Sequence, residues 1–243
     1  MTSYLSTVPV WIIVIFIASF LYAITLIANP VKQAALNAGM SADKSRNIQF
    51  SILGFYIMYF AYVSILSLRG VFYIYALPPK VIVFAALPLV IILFVIIGNT
   101  RLFKQLLRSI TLESLIALHV FRLLGVFFII LYFYRLLPAD MAFSSGLGDI
   151  ITALLALPLA KAVSKRKSWS IKAVYAWNIF GAMDILVLIT IAIVTTRRAM
   201  VTGEQGDLEM MRFPFAWFPA FAPATILFLH TVIFRKLWQM KGR

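Results

Sequence analysis

Six polar side chains interrupt runs that are otherwise apolar: His119 and Arg122 in HVFRLLG, Asp149 in SGLGDI, Asn178 and Asp184 in WNIFGAMD, and His230 in ILFLH. An ionisable group at the bilayer centre costs about 2.5–3.5 kcal/mol on insertion scales, so it normally faces the bundle interior and takes a partner. Two carboxylates with one arginine within reach suit proton exchange, or the holding of a small molecule or ion. Burial is expected to keep at least one of the two protonated. His119 and His230, on different segments, meet the minimum requirement for bis-histidine ligation of haem b. His230, Asn178 and Arg122 under apolar walls would also hold a quinone head group.

The elements that must position these residues follow from composition. Of 243 residues, 63% are hydrophobic and 12% charged, whereas soluble domains are about half apolar and about a quarter charged. An integral membrane protein is expected. With no cysteine, disulfides, thiolate metal sites and thiol catalysis are excluded. The net charge of +14 is spread over short loops, which points to membrane topology and to anionic lipid at the cytoplasmic face, and away from nucleic acid.

A helix of about 20 apolar residues crosses the hydrocarbon core. Such runs lie near residues 9–28, 48–68, 80–98, 115–137, 142–163, 171–195 and 214–237. The expected fold is all-α: one polytopic domain of seven transmembrane helices. The first run lacks a basic leader and a cleavage site, and reads as a retained span. Fifteen of the 22 lysines and arginines fall in loops on one side and six on the other, with Arg122 inside a span. That asymmetry puts the N-terminus outside and the C-terminus in the cytoplasm.

Between the spans, FYIYALPP at 72–79 reads as an aromatic belt, and RLFKQLLRSITLES at 101–114 as an amphipathic surface helix with Leu102, Leu106 and Ile110 on one face. GEQGDLEM at 203–210 reads as a solvated outer loop without calcium-loop spacing.

At about 1.5 Å per residue, His119, Arg122, Asn178 and His230 sit roughly 6–10 Å from the cytoplasmic ends of their spans. Asp149 and Asp184 sit roughly 20 Å in, within a core about 30 Å thick. Two layers are expected, with Arg122 reaching up to Asp184 or Asp149. Ser145, Asp149, Ala153, Ala156 and Ala160 share one face of the fifth helix, flanked by Gly146 and Gly148, and Gly181 lies one turn from Asn178 and from Asp184. Small residues of this kind let backbones approach. Pro214, Pro219 and Pro223 break the last span and free carbonyls that need partners. Its Phe215, Trp217, Phe218 and Phe221 read as packing or lipid-facing aromatics.

Other chemistries lack their residues. A retinal Schiff base needs a lysine deep in a span, a zinc hydrolase about three convergent ligands, and an acyl-transfer site a nucleophile beside its base. The last span has no lysine before Lys236, the two histidines are alone, and Ser144 and Ser145 lie at the opposite end from them. GLGD at 146–149 is too short for a phosphate loop.

FRLLG (121–125), SGLGDI (145–150), WNIFGAMD (177–184) and FAPATILFLH (221–230) together resemble a family of small bacterial polytopic inner-membrane proteins that brings no activity with it. The resemblance covers spans four to seven and implies a bacterial inner-membrane location. It points to Arg122, Asp149, Asn178, Asp184 and His230 and leaves the first three spans as the variable part.

The expected function is a non-enzymatic carrier or receptor for a small molecule or ion, with a protonatable carboxylate, no metal and no cofactor. A haem b or quinone redox protein, and a structural or assembly subunit, are the alternatives. A homo-oligomer stays open.

Overall fold

Seven helices long and apolar enough to cross a membrane make up the computed structural model, which describes residues 4–241. They are α1 (Val10–Asn37), α2 (Ala42–Leu68), α3 (Ile82–Asn99), α5 (Leu112–Phe133), α6 (Ala139–Ser164), α7 (Ser170–Thr202) and α8 (Trp217–Lys241). The short amphipathic α4 (Arg101–Ser109) precedes α5. No strand occurs among the described residues beyond a single bridge between Leu5 and Phe213.

Local chemistry sets several helix ends. Ser41 and Thr100 cap α2 and α4 by accepting from the backbone amides of Lys44 (3.3 Å) and Phe103 (3.1 Å). Gly203 ends α7 at φ +72°, a left-handed conformation that suits glycine. At the far end of α4, Lys236 donates to the carbonyls of Leu107 (3.1 Å) and Arg108 (3.0 Å). The inward face of α4 is Phe103, Leu106, Leu107 and Ile110, while Leu102 is exposed, so its apolar stripe is turned relative to the expected one.

α8 is the central helix. In its most apolar window 78% is buried, against 33% for α1, 22% for α2 and 28% for α7. Alanines, prolines and phenylalanines occupy all its sides, the pattern of a helix surrounded by protein. Phe215, Trp217, Phe218 and Phe221 are all buried among packing partners. Phe60 stacks on Trp217 at 4.5 Å, and Phe16 meets Phe215 edge-on at 4.7 Å. Near the prolines, Tyr59 donates to the Ala220 carbonyl at 2.9 Å.

The face of the bundle that carries the N-terminus is closed by a cap. Tyr4 to Ser6 pair with Phe213 (Ser6 N to Phe213 O, 2.9 Å), and Ser6 Oγ donates to Glu209. Thr196 donates to Asp207, and Arg212 reaches the Tyr73 hydroxyl at 2.8 Å. The acidic segment is a solvated loop only in its first part: Gly203, Glu204 and Gln205 are exposed, whereas Asp207 and Glu209 are buried, Asp207 accepting from Thr196 and Glu209 accepting from Ser6 and pairing with Arg212. Residues 72–79 belong to this cap as well, with Phe72 buried and the Tyr75 hydroxyl accepting from Gly206 N.

Burial pushes the Asp207 and Glu209 carboxyls above their ordinary values of 3.8 and 4.5, against the opposing pull of Thr196 on Asp207 and of Ser6 and Arg212 on Glu209. A raised folded-state value means that the folded cap binds more protons than the unfolded one between the two values. Its stability is therefore full below the ordinary values and falls as pH rises above them. Protection of the amides at residues 203–213, taken relative to their intrinsic exchange rates at each pH, should fall across that window, and Glu209→Gln with Asp207→Asn should flatten the dependence.

Candidate functional site

Along α5 the backbone tightens to 3₁₀ geometry from Leu118 to Gly125. With about three residues per turn, positions i and i+3 eclipse, so His119 and Arg122 stand one above the other and point inward. Both are buried. Gly125 and Gly146 bring α5 against α6: a Cβ on Gly125 would meet Asp149 Cβ at 2.6 Å, and one on Gly146 would meet the Gly125 carbonyl at 2.8 Å. This approach delivers Asp149 to Arg122.

The guanidinium is almost fully used. Nε donates to Asp149 Oδ1 at 2.6 Å, and Nη2 to Asp184 Oδ2 at 2.5 Å. Nη1 donates to the Gly181 carbonyl at 3.1 Å and lies 3.1 Å from His230 Nε2. Four of five donors are thus engaged in a fork that only arginine supplies. Asp184 reaches across from α7 through the space over Gly148, where a side-chain Cβ would coincide with its carboxylate. Gly181 serves the same end on α7, since a Cβ there would press on the His230 ring at 2.6 Å and on Arg122 Nη1 at 2.9 Å.

His230 is held in one tautomer. Arginine can only donate, so Nε2 accepts and the proton resides on Nδ1, which donates to Asn178 Oδ1 at 2.8 Å. Asn178 Nδ2 completes the ring by donating to the His230 carbonyl at 3.1 Å. Histidine ¹⁵N NMR should show a neutral ring protonated at Nδ1, and the preference should survive Asn178→Leu, in which Arg122 still donates to Nε2, but be lost when Arg122→Leu is added. A ring protonated at Nε2 would contradict the arrangement.

The expected two layers are therefore one cluster. Arg122 pairs with both carboxylates, and Asn178 orients His230 without touching either. A 3₁₀ turn rises about 2.0 Å per residue instead of about 1.5 Å, which lifts Arg122 toward the aspartates. His119 is buried with its ring 4.4 Å from that of His230 and edge-on to Trp177 at 5.0 Å, and neither of its nitrogens has a hydrogen-bond partner among the described residues. A haem does not fit this pair, because the rings are in near contact and both His230 nitrogens are engaged. A quinone head group lacks room as well: the cavity touching Arg122 and Asp149 measures about 10 Å³, about one water molecule's worth of space. The free Asp149 Oδ2 belongs to a carboxylate on that cavity, which Phe20, Phe121, Phe218 and Phe221 also line.

Three contributors escaped the sequence reading. They are the Gly125 contact, the Gly181 carbonyl, and Trp177, whose indole donates to the Thr152 carbonyl at 3.0 Å and braces α7 on α6. Gly125 follows Arg122 by three residues, which was a usable signal. A backbone carbonyl leaves none.

The family described as a domain of unknown function, DUF8737, matches residues 77–238. The match includes α3 as well as the four helices that carry the cluster. No curated protein and no solved structure matches the chain.

Proposed function

The chain belongs to the DUF8737 family, and from the cluster inside the matched region we propose that it is a proton-coupled membrane carrier in which Arg122, Asp149 and Asp184 form the coupling site. The observation that carries this reading is a charge count. One guanidinium faces two buried carboxylates at 2.6 and 2.5 Å, with His230 held neutral, so one negative charge stays uncompensated. A lone buried charge is costly. One proton, or one small cation, cancels it.

Asymmetry gives the proton a route. The Asp149 side chain is 1% exposed and that of Asp184 is 8%, so exchange enters at Asp184, and the proton passes between the two carboxylates while the guanidinium keeps all of its own. The unpartnered Asp149 oxygen is the inner terminus. Protonating one carboxylate frees donors of Arg122, which loosens α7 from α5 and α6. The helix α8, which runs on through Pro219 and Pro223, holds His230 and is the element that moves with it.

The membrane placement belongs to this proposal too: a bacterial inner membrane, N-terminus outside and C-terminus cytoplasmic, with anionic lipid against α4. It is supported by the lysine and arginine asymmetry and by the exposed Arg101, Lys104 and Arg108 on α4.

Proteoliposomes containing a pH-sensitive dye provide the test. After a step in external pH, wild-type vesicles should relax faster than empty ones, and Asp184→Asn vesicles with equal protein content at the empty rate. Wild-type vesicles that match empty ones for steps of either sign would contradict the carrier reading.

A further inference from the structure

A second cavity, separate from the Arg122 cluster, opens between α3, α7 and α8 under the cap. Its volume is about 450 Å³, within the range of about 300–1,000 Å³ typical of small-molecule sites. Its walls are hydrocarbon: Ile82 and Val90 from α3, Leu188 and Ala192 from α7, Pro219 and Pro223 from α8. The turns of α3 widen to π geometry on either side of Leu87–Val90, a departure that often accompanies a binding site.

One lining residue carries charge. Asp207 sits in the cap and is 2% exposed. Its only side-chain donor is the Thr196 hydroxyl, 3.1 and 3.2 Å from its two oxygens, and among the described residues no cation pairs with it. Buried carboxylates are normally paired with a cation or several donors. The neighbouring acids behave differently: Glu209 has Arg212 at 3.5 Å, and Asp140 has Arg198 at 2.9 Å. Of the acids in the cap, Asp207 lacks a countercharge among the described residues, and it lacks it on the wall of an apolar cavity.

We propose that this cavity binds a cationic amphiphile, a linear hydrocarbon with an amine head, the head on Asp207 and the chain running between α3, α7 and α8 toward Pro223. The carboxylate supplies the missing ion pair and the walls exclude water from it, which strengthens a charge-assisted bond. Phe218 and Ala222 line both this cavity and the small one at Asp149. A filled chain site therefore bears on the residues that wall the coupling site. Binding itself does not depend on the proton reading.

Radiolabelled dodecylamine is the probe, with full-length protein in lipid nanodiscs and empty nanodiscs subtracted to remove partitioning into lipid. Saturable binding of one amine per chain is expected, with dodecanol bound about tenfold more weakly, the usual weight of one charge-assisted contact. Asp207→Asn keeps the acceptor for Thr196 and should bring the amine down to the level of the alcohol. Ala192→Trp fills the cavity, leaves Asp207 intact and should abolish binding of both. No saturable binding to the wild type would overturn the proposal. So would equal affinity for amine and alcohol, since that describes a groove for any acyl chain, and so would an amine affinity that survives either substitution in folded protein.

Discussion

Arg122→Leu is expected to cause the largest loss of stability of any single substitution in this chain. The change leaves Asp149 and Asp184 facing each other without a cation and strips a donor from the Gly181 carbonyl and from His230 Nε2. Breaking a buried ion pair by removing one partner costs about 3–5 kcal/mol, and here two pairs break at once. In detergent, the folded fraction should collapse or the unfolding midpoint should drop sharply. The loss should be recoverable without restoring the arginine: adding Asp149→Asn and Asp184→Asn removes the orphaned charges and should restore most of the stability. Arg122→Lys should fall between, because an ammonium keeps the charge but cannot fork to two carboxylates on different helices.

Gly148→Ala should have the second-largest effect, through a neighbour and not through the glycine itself. The added Cβ coincides with the Asp184 carboxylate, so Asp184 must leave Arg122 or α6 and α7 must separate. Overpacking of this kind costs about 1–3 kcal/mol. The diagnostic is non-additivity. In an Asp184→Ala background the obstruction is gone, and Gly148→Ala should be nearly silent, with a coupling of about 0.5–3 kcal/mol between the two changes. Additive losses would mean that Gly148 serves only general helix packing.

The alternative of a structural subunit makes a different forecast for the same variants. If the cluster only holds helices together, the charge-free triple variant regains stability and loses no other property. In the carrier reading it regains stability and loses proton exchange.

What could be read in advance depended on whether the partner of each group was constrained by type. Arg122 is the cation set well inside a span while the other lysines and arginines cluster toward span ends and loops, and Asp149 and Asp184 are the obvious carboxylates at depth, so their meeting followed from the cost of burying charge. Their sharing of one guanidinium did not, because the depth estimate assumed α-helical rise where α5 adopts 3₁₀ turns. The burial of residues 206–210 was not legible for the opposite reason. The segment's composition is that of a solvated loop, and the groups that allow its burial are remote: Ser6 lies 203 positions before Glu209. No local pattern encodes such a partner. The haem alternative rested on two histidines on separate helices, and spacing along those helices said nothing about ring contact or about Asn178 fixing His230.

The central claim is that one proton is shared by a pair of carboxylates around a single arginine, and infrared spectroscopy of the carboxylic-acid C=O stretch in nanodiscs at neutral pH tests it most directly. One band from this pair is expected in the wild type. Because Arg122 alone neutralises a single remaining aspartate, that band should vanish in Asp149→Asn and equally in Asp184→Asn. A wild type with no such band, or a band that persists in either single variant, would contradict the shared proton.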